Sequence, residues 1–144
     1  MDIWEELYLK AKAQYRPGDL SPFFYAHHVA CALEAENGKI YTGFCIEGAS
    51  GVLNLCAERV AAVNMIVDSD CTAVRRLVVL RDVPPYESGN FLPCGACREF
   101  FMQLDIKNKD MEILTDYHSR ATVKLSALIE RWWGEERYIK EGKL

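Results

Sequence analysis

A chain of 144 residues, half of them hydrophobic and 26% charged, is long enough for one core and too apolar to stay disordered. Its net charge of −4, with basic residues scattered except at Arg75-Arg76, leaves no footprint for nucleic acid. The start, Met1 to Glu6, lacks the pattern of a secretory leader and no stretch is apolar enough to span a membrane, so we expect a single cytoplasmic domain over 1–144 with no membrane partner.

Apolar residues recur at Ile3, Leu7 and Ala11 until Pro17-Gly18 stops them, which predicts an amphipathic helix over 3–15. Val29 to Leu33 and Lys39 to Ile46 flank Glu36-Asn37-Gly38, and Asn-Gly between two such runs predicts a β-hairpin. Leu55 to Val67 is rich in Ala and Val without a breaker and Asn54 is a candidate cap, so a buried helix is expected to begin close to Cys56. Leu77-Val78-Val79-Leu80 has the character of a strand covered on both faces. A loop with Pro84, Pro85 and Gly89 follows, and Pro93 then precedes a second helix over about 95–104. Met111 to Leu114 reads as a strand, Leu125 to Trp133 as a last helix, and the charged tail from Gly134 as peripheral. Strand alternating with helix indicates an α/β fold.

In the cytoplasm six cysteines stay reduced, so close pairs read as metal or redox sites rather than disulfides. Cys94 and Cys97 are three apart in a first helical turn, which brings both sulfurs to one face, within reach of one tetrahedral ion. Cys56, at the start of the other helix, supplies a third thiolate. Three protein ligands leave a fourth position for water, the arrangement of catalytic zinc. Three thiolates on Zn²⁺ carry a net negative charge that weakens the metal's pull on water. Two helix dipoles and Arg59, hydrogen-bonded to a thiolate, would offset it. Glu58, two residues after Cys56, is placed to carry protons without being a ligand.

Cys56-Ala57-Glu58-Arg59 and Pro93-Cys94-Gly95-Ala96-Cys97-Arg98, preceded by Gly38 to Gly43, Ile46-Glu47 and Ala49-Ser50, resemble the cytidine deaminase family over most of the chain. The resemblance implies a three-layer α/β/α sandwich, a mixed β-sheet with helices on both faces, assembled as a homotetramer. It implies hydrolytic deamination of cytidine or deoxycytidine in pyrimidine salvage, with Zn²⁺ held by Cys56, Cys94 and Cys97. Glu58 would protonate the ring nitrogen and then the leaving amine, the Ala57 backbone would meet the ring carbonyl, and Glu47 would grip the sugar. Trp133, or Trp132, would close a neighbouring subunit's pocket.

Three positions depart from the family pattern. Cys45 stands where an Asn grips the sugar, and a thiol is a weak hydrogen-bond partner. His27 stands where a Phe lies under the base, and imidazole is polar and titratable. Glu99 replaces a frequent Gln. Cys45 and His27 raise a second possibility, a deaminase of a modified aminopyrimidine nucleoside of the blasticidin S type or of another amino-heterocycle. Two non-catalytic readings stand beside these: a structural zinc site closed by Cys31, Cys45 or Cys71, and a redox Cys-x-x-Cys pair.

Overall fold

A computed structural model describes residues 1–81 and 92–142; the expected loop with Pro84, Pro85 and Gly89 lies outside the described residues. The first helix, α1 (Ile3–Gln14), starts on Asp2, whose carboxylate accepts the Glu5 amide at 2.8 Å. Two strands follow as the expected hairpin, β2 (Tyr25–Ala35) and β3 (Ile40–Glu47), after a two-residue strand β1 (Gly18–Asp19) that sequence patterning does not predict. Gly38 turns the hairpin at φ +86°, a left-handed conformation that suits glycine. Next come α2 (Ala57–Ser69), β4 (Val74–Leu80), α3 (Gly95–Leu104), β5 (Glu112–Asp116), β6 (Ala121–Lys124), α4 (Leu125–Leu128) and α5 (Glu135–Lys140).

The sheet is mixed. β2 lies between β3 and β4 and pairs antiparallel with both, β1 pairs antiparallel with the start of β2, β4 runs parallel to β5, and β6 closes antiparallel on β5. Period-two alternation sorts its two faces. Ala32, Val78, Leu80 and Leu114 meet Trp4, Leu7, Tyr8 and Ala11 of α1. Cys31, Leu33, Leu77, Val79 and Ile113 meet Ala57, Ala61, Ala62 and Met65 of α2 and Phe101 of α3. Helices therefore cover both faces, the α/β/α layering expected from the sequence.

Three local expectations are corrected. Helix α2 does begin close to Cys56 as expected, at Ala57, and Leu55 before it bridges Ile46 of β3. Asn54 does not cap it, since its Oδ1 instead accepts the Gly48 amide at 2.8 Å, and Cys56 holds the N-cap position. The last predicted helix stops at Leu128, where Ile129 turns extended and Arg131 adopts φ +49°. The side chain of Arg98 contacts the Leu128 carbonyl, and the Trp132 indole is drawn to Glu99 on α3. The tail is docked rather than peripheral: the Tyr138 hydroxyl lies 2.8 Å from the carbonyls of Met102 and Gln103, at the end of α3.

One buried polar residue ties these elements together. Asn108 is fully buried, accepts the Val74 amide at 2.7 Å, and donates to the carbonyls of Phe101 and Thr72. Its loss leaves a backbone donor and two acceptors buried without this partner, so Asn108→Ala should cost about 3 kcal/mol of unfolding free energy. A urea titration against the parent chain measures it.

Candidate active site

Both helices that cover the same face of the sheet begin at a cysteine. Cys56 is the N-cap of α2 and Cys94 that of α3, each in extended backbone with its side chain making no capping bond. Cys97 follows one turn into α3, fully buried. The sulfurs converge: Cys56 to Cys94 is 3.8 Å and Cys94 to Cys97 is 3.5 Å. Three sulfurs on a tetrahedral zinc, each at about 2.3 Å, would lie about 3.8 Å apart, so the donor set fits that ion. All three ligand atoms lie within 4.8 Å of one another, and among the described residues no fourth His, Cys, Asp or Glu joins the group. Cys31, Cys45 and Cys71, the candidates for closing a structural site, are outside it.

Charge around the sulfurs is arranged to offset theirs. Arg59, in the first turn of α2, donates through Nη2 to Cys56 Sγ at 3.2 Å, and that hydrogen bond raises its already high pKa. Burial pushes the Cys97 thiol up, reinforced by the negative charge of Glu58, so a metal entering here must displace a tightly held proton.

Glu58 is only 2% exposed. Its burial raises its pKa from the ordinary carboxylate value, while the charges of Arg81 and Arg59 and a hydrogen bond to Cys97 pull the other way. A buried carboxyl whose charged form is disfavoured by desolvation is suited to holding a proton and returning it. It faces a cavity of about 190 Å³, whose lining includes Cys56, Cys94, Ala57, Cys45, Glu47 and Arg81. Arg81, just past the end of β4, lines the cavity too and donates to the Leu92 carbonyl at 3.2 Å. A lone Arg at a strand end carries no sequence signal of such a role.

His27 does not line this cavity. Its ring stacks on Phe44 with centroids 3.7 Å apart, and its Nδ1 lies 2.7 Å from the Gln14 carbonyl. The reason is local: β2 and β3 lose register between Ala26 and Ala30, and His27 takes φ +65°, which breaks the alternation that would have aimed it inward. His28 lines the cavity instead. Trp133 is also away from the cavity of its own chain, 66% exposed, with its indole N–H donating to Glu99. Trp132 donates to the same carboxylate, and these contacts give Glu99 a structural partner that sequence reading did not provide.

Three thiols and a buried carboxyl at two helix starts, on an α/β/α frame, define a class of metal-binding protein rather than a generic α/β domain. The family model described as the cytidine and deoxycytidylate deaminase zinc-binding region matches residues 11–111, and the chain belongs to that family. Zinc is accordingly its metal cofactor. A probable cytidine deaminase of Dictyostelium discoideum is 33% identical over 103 residues, 71% of this chain and 65% of that protein. The cytidine deaminase of Sporosarcina psychrophila is 38% identical over 49% of this chain and 48% of its own length. The alignments thus span about half to two thirds of these curated relatives. Among solved structures, the cytidine deaminase of Burkholderia pseudomallei is 25% identical with a TM-score of 0.69, covering 92% of this chain and 100% of that one. The cytidine deaminase of Bacillus anthracis shares the fold at 21% identity and TM-score 0.69, covering 99% and 97%. No helix among the described residues is long and apolar enough to cross a membrane.

Proposed function

We propose that this chain is a zinc-dependent hydrolase that converts cytidine or deoxycytidine to the uracil nucleoside with release of ammonia. The observation that carries the reading is the buried Glu58 carboxyl beside three convergent cysteine sulfurs, with Glu58, Cys56 and Cys94 on the wall of one cavity. Cys56, Cys94 and Cys97 hold the metal, which when bound supplies Lewis acidity that makes water a nucleophile at neutral pH. Glu58 takes the proton that the attacking water gives up and delivers it to the ring nitrogen next to the amine-bearing carbon. A second proton passes through Glu58 to the amine, the carbon–nitrogen bond breaks, and ammonia leaves as the new carbon–oxygen bond becomes a carbonyl. Arg59 draws charge from Cys56, keeping the three thiolates from quenching the metal. The Ala57 backbone meets the ring carbonyl and Glu47 the sugar.

The chain works as one deaminase domain in the cytoplasm, in pyrimidine salvage, as a homotetramer. Exposed Trp133 then contributes to a neighbouring copy's pocket, which accords with its distance from its own. Arg81 and His28 on the cavity wall keep a modified aminopyrimidine nucleoside in view as a second substrate class.

Zinc-loaded protein should release ammonia from cytidine and deoxycytidine, and the panel should include cytosine and blasticidin S. Bound zinc with no ammonia from any of these compounds would refute the enzyme and favour a silent zinc protein. Turnover of blasticidin S alone would move the substrate to the second class.

A further inference from the structure

Pairing of β2 with β3 breaks between Ala26↔Ile46 and Ala30↔Phe44, so His27, His28 and Val29 stand against Cys45 alone. A bulge of this kind leaves ladder donors without a strand partner. The Val29 amide finds one in the Cys45 sulfur at 3.2 Å. With the sulfur accepting there, the thiol has its S–H left to donate, and His28 Nδ1 lies 3.2 Å from the same sulfur. Burial raises the Cys45 pKa, so that proton stays on sulfur.

An S–H donated to Nδ1 leaves the neutral imidazole's own proton on Nε2. Tyr25 packs against the ring with centroids 4.9 Å apart, and Nε2 points toward Glu47, 3.7 Å from Oε2. That separation is too long for a direct hydrogen bond. A single hydroxyl oxygen in front of both atoms can, however, accept from Nε2–H and donate to the carboxylate, each at about 2.8 Å. An anionic group would be repelled by Glu47, whereas a hydroxyl, at once donor and acceptor, matches both atoms. Both residues line the cavity that holds Glu58 and two of the three sulfurs' residues, Cys56 and Cys94.

We propose that His28 Nε2 and Glu47 form a recognition pair for a sugar hydroxyl of the substrate, and that Cys45 is the positioning residue that sets the imidazole's tautomer. The inference rests on the reading of the substrate as a nucleoside. It restores, through an imidazole, the hydrogen bonding that the loss of an amide at Cys45 removes. Cys45 thereby acts through His28 and not on the ligand.

The test pairs nitrogen-15 NMR of the histidines in zinc-loaded protein with kinetics. His28, assigned by its loss in His28→Gln, should show the Nε2–H tautomer, and its Nε2 signal should move with cytidine and uridine but not with cytosine or uracil. Cys45→Ala should mix the tautomers and Cys45→Ser should restore the single one. His28→Ala should raise KM for cytidine about 10- to 100-fold with kcat little changed. The penalty should be about tenfold smaller for whichever of 2′-deoxycytidine and 3′-deoxycytidine lacks the contacted hydroxyl. A His28 signal unmoved by both nucleosides, an Nδ1–H tautomer, or equal penalties on all three nucleosides overturns the proposal. If the parent protein releases no ammonia from cytidine while His28 Nε2 still moves with nucleosides, the deaminase reading falls and the hydroxyl site stands. Turnover with equal penalties does the reverse.

Discussion

Glu58→Ala should lower kcat for cytidine by about 10²–10⁴-fold, the range general acid–base catalysis contributes, while zinc content stays at the parent level. The two halves of that result answer different questions. Glu58 is outside the metal-capable group, which among the described residues comprises Cys56, Cys94 and Cys97, so removing the carboxyl should not empty the site. Its burial at the start of α2, however, is hard to explain except by use. An almost fully enclosed carboxyl raised by desolvation destabilises its charged form, and such a group is kept where a proton has to be held and returned. Glu58→Gln keeps the shape without the proton chemistry and should be nearly as damaged. The measurement is steady-state ammonia release beside zinc quantified on the same sample. A Glu58→Ala protein within about threefold of the parent in kcat would put the proton carrier elsewhere.

Gly43→Ala should lower the melting temperature by roughly 5–10 °C, equivalent to about 2–3 kcal/mol of overpacking. A Cβ on Gly43 would come within 2.4 Å of the Ala57 carbonyl oxygen and 2.6 Å of the Ala61 amide nitrogen. Both are backbone atoms of α2, so no side chain can rotate to make room. The helix must move off β3, and its first turn carries Ala57, Glu58 and Arg59 with Cys56 as its N-cap. Weaker zinc retention and lower ammonia release should therefore accompany the thermal loss. Calorimetry or thermal fluorescence gives the first, and a chelator competition the second. An unchanged melting temperature would mean that α2 does not sit this close to the sheet.

Much of this was legible from residues alone, for reasons that differ by element. The hairpin was announced by Asn37-Gly38, the buried strand by Leu77 to Leu80, and α3 by Pro93 and the pattern that follows it, all signals carried within a few neighbouring residues. The convergence of Cys56, Cys94 and Cys97 followed from two helix starts, because first-turn positions are geometrically defined. What escaped depends on distant partners. Leu125 to Trp133 has helical character, yet Glu99 and Arg98 on α3 offer the indole and the Leu128 carbonyl better partners than a continued helix would. Strand β6 has only four residues, and β1 has two, too few for any period to register. Asn54 looked like a cap and was taken instead by the Gly48 amide in the preceding loop. The place of His27 in the cavity rests on matching its stretch residue by residue to the family pattern, and the bulge beside it is recorded in the pairing with β3 and not in its own neighbours.

That bulge gives this pocket an unusual evolutionary handle. In an uninterrupted ladder continuing from Cys31↔Gly43, Val29 would stand opposite Cys45 and His27 opposite Glu47; in the actual pairing Tyr25 is opposite Glu47. Two surplus residues in β2 therefore decide which of two adjacent imidazoles lines the cavity. A two-residue deletion there would restore the uninterrupted register and change which side chain of β2 faces the cavity, so the lining of this pocket can change by insertion and deletion as well as by substitution. For this segment, correspondence between relatives is better drawn from strand register than from letter-by-letter matching.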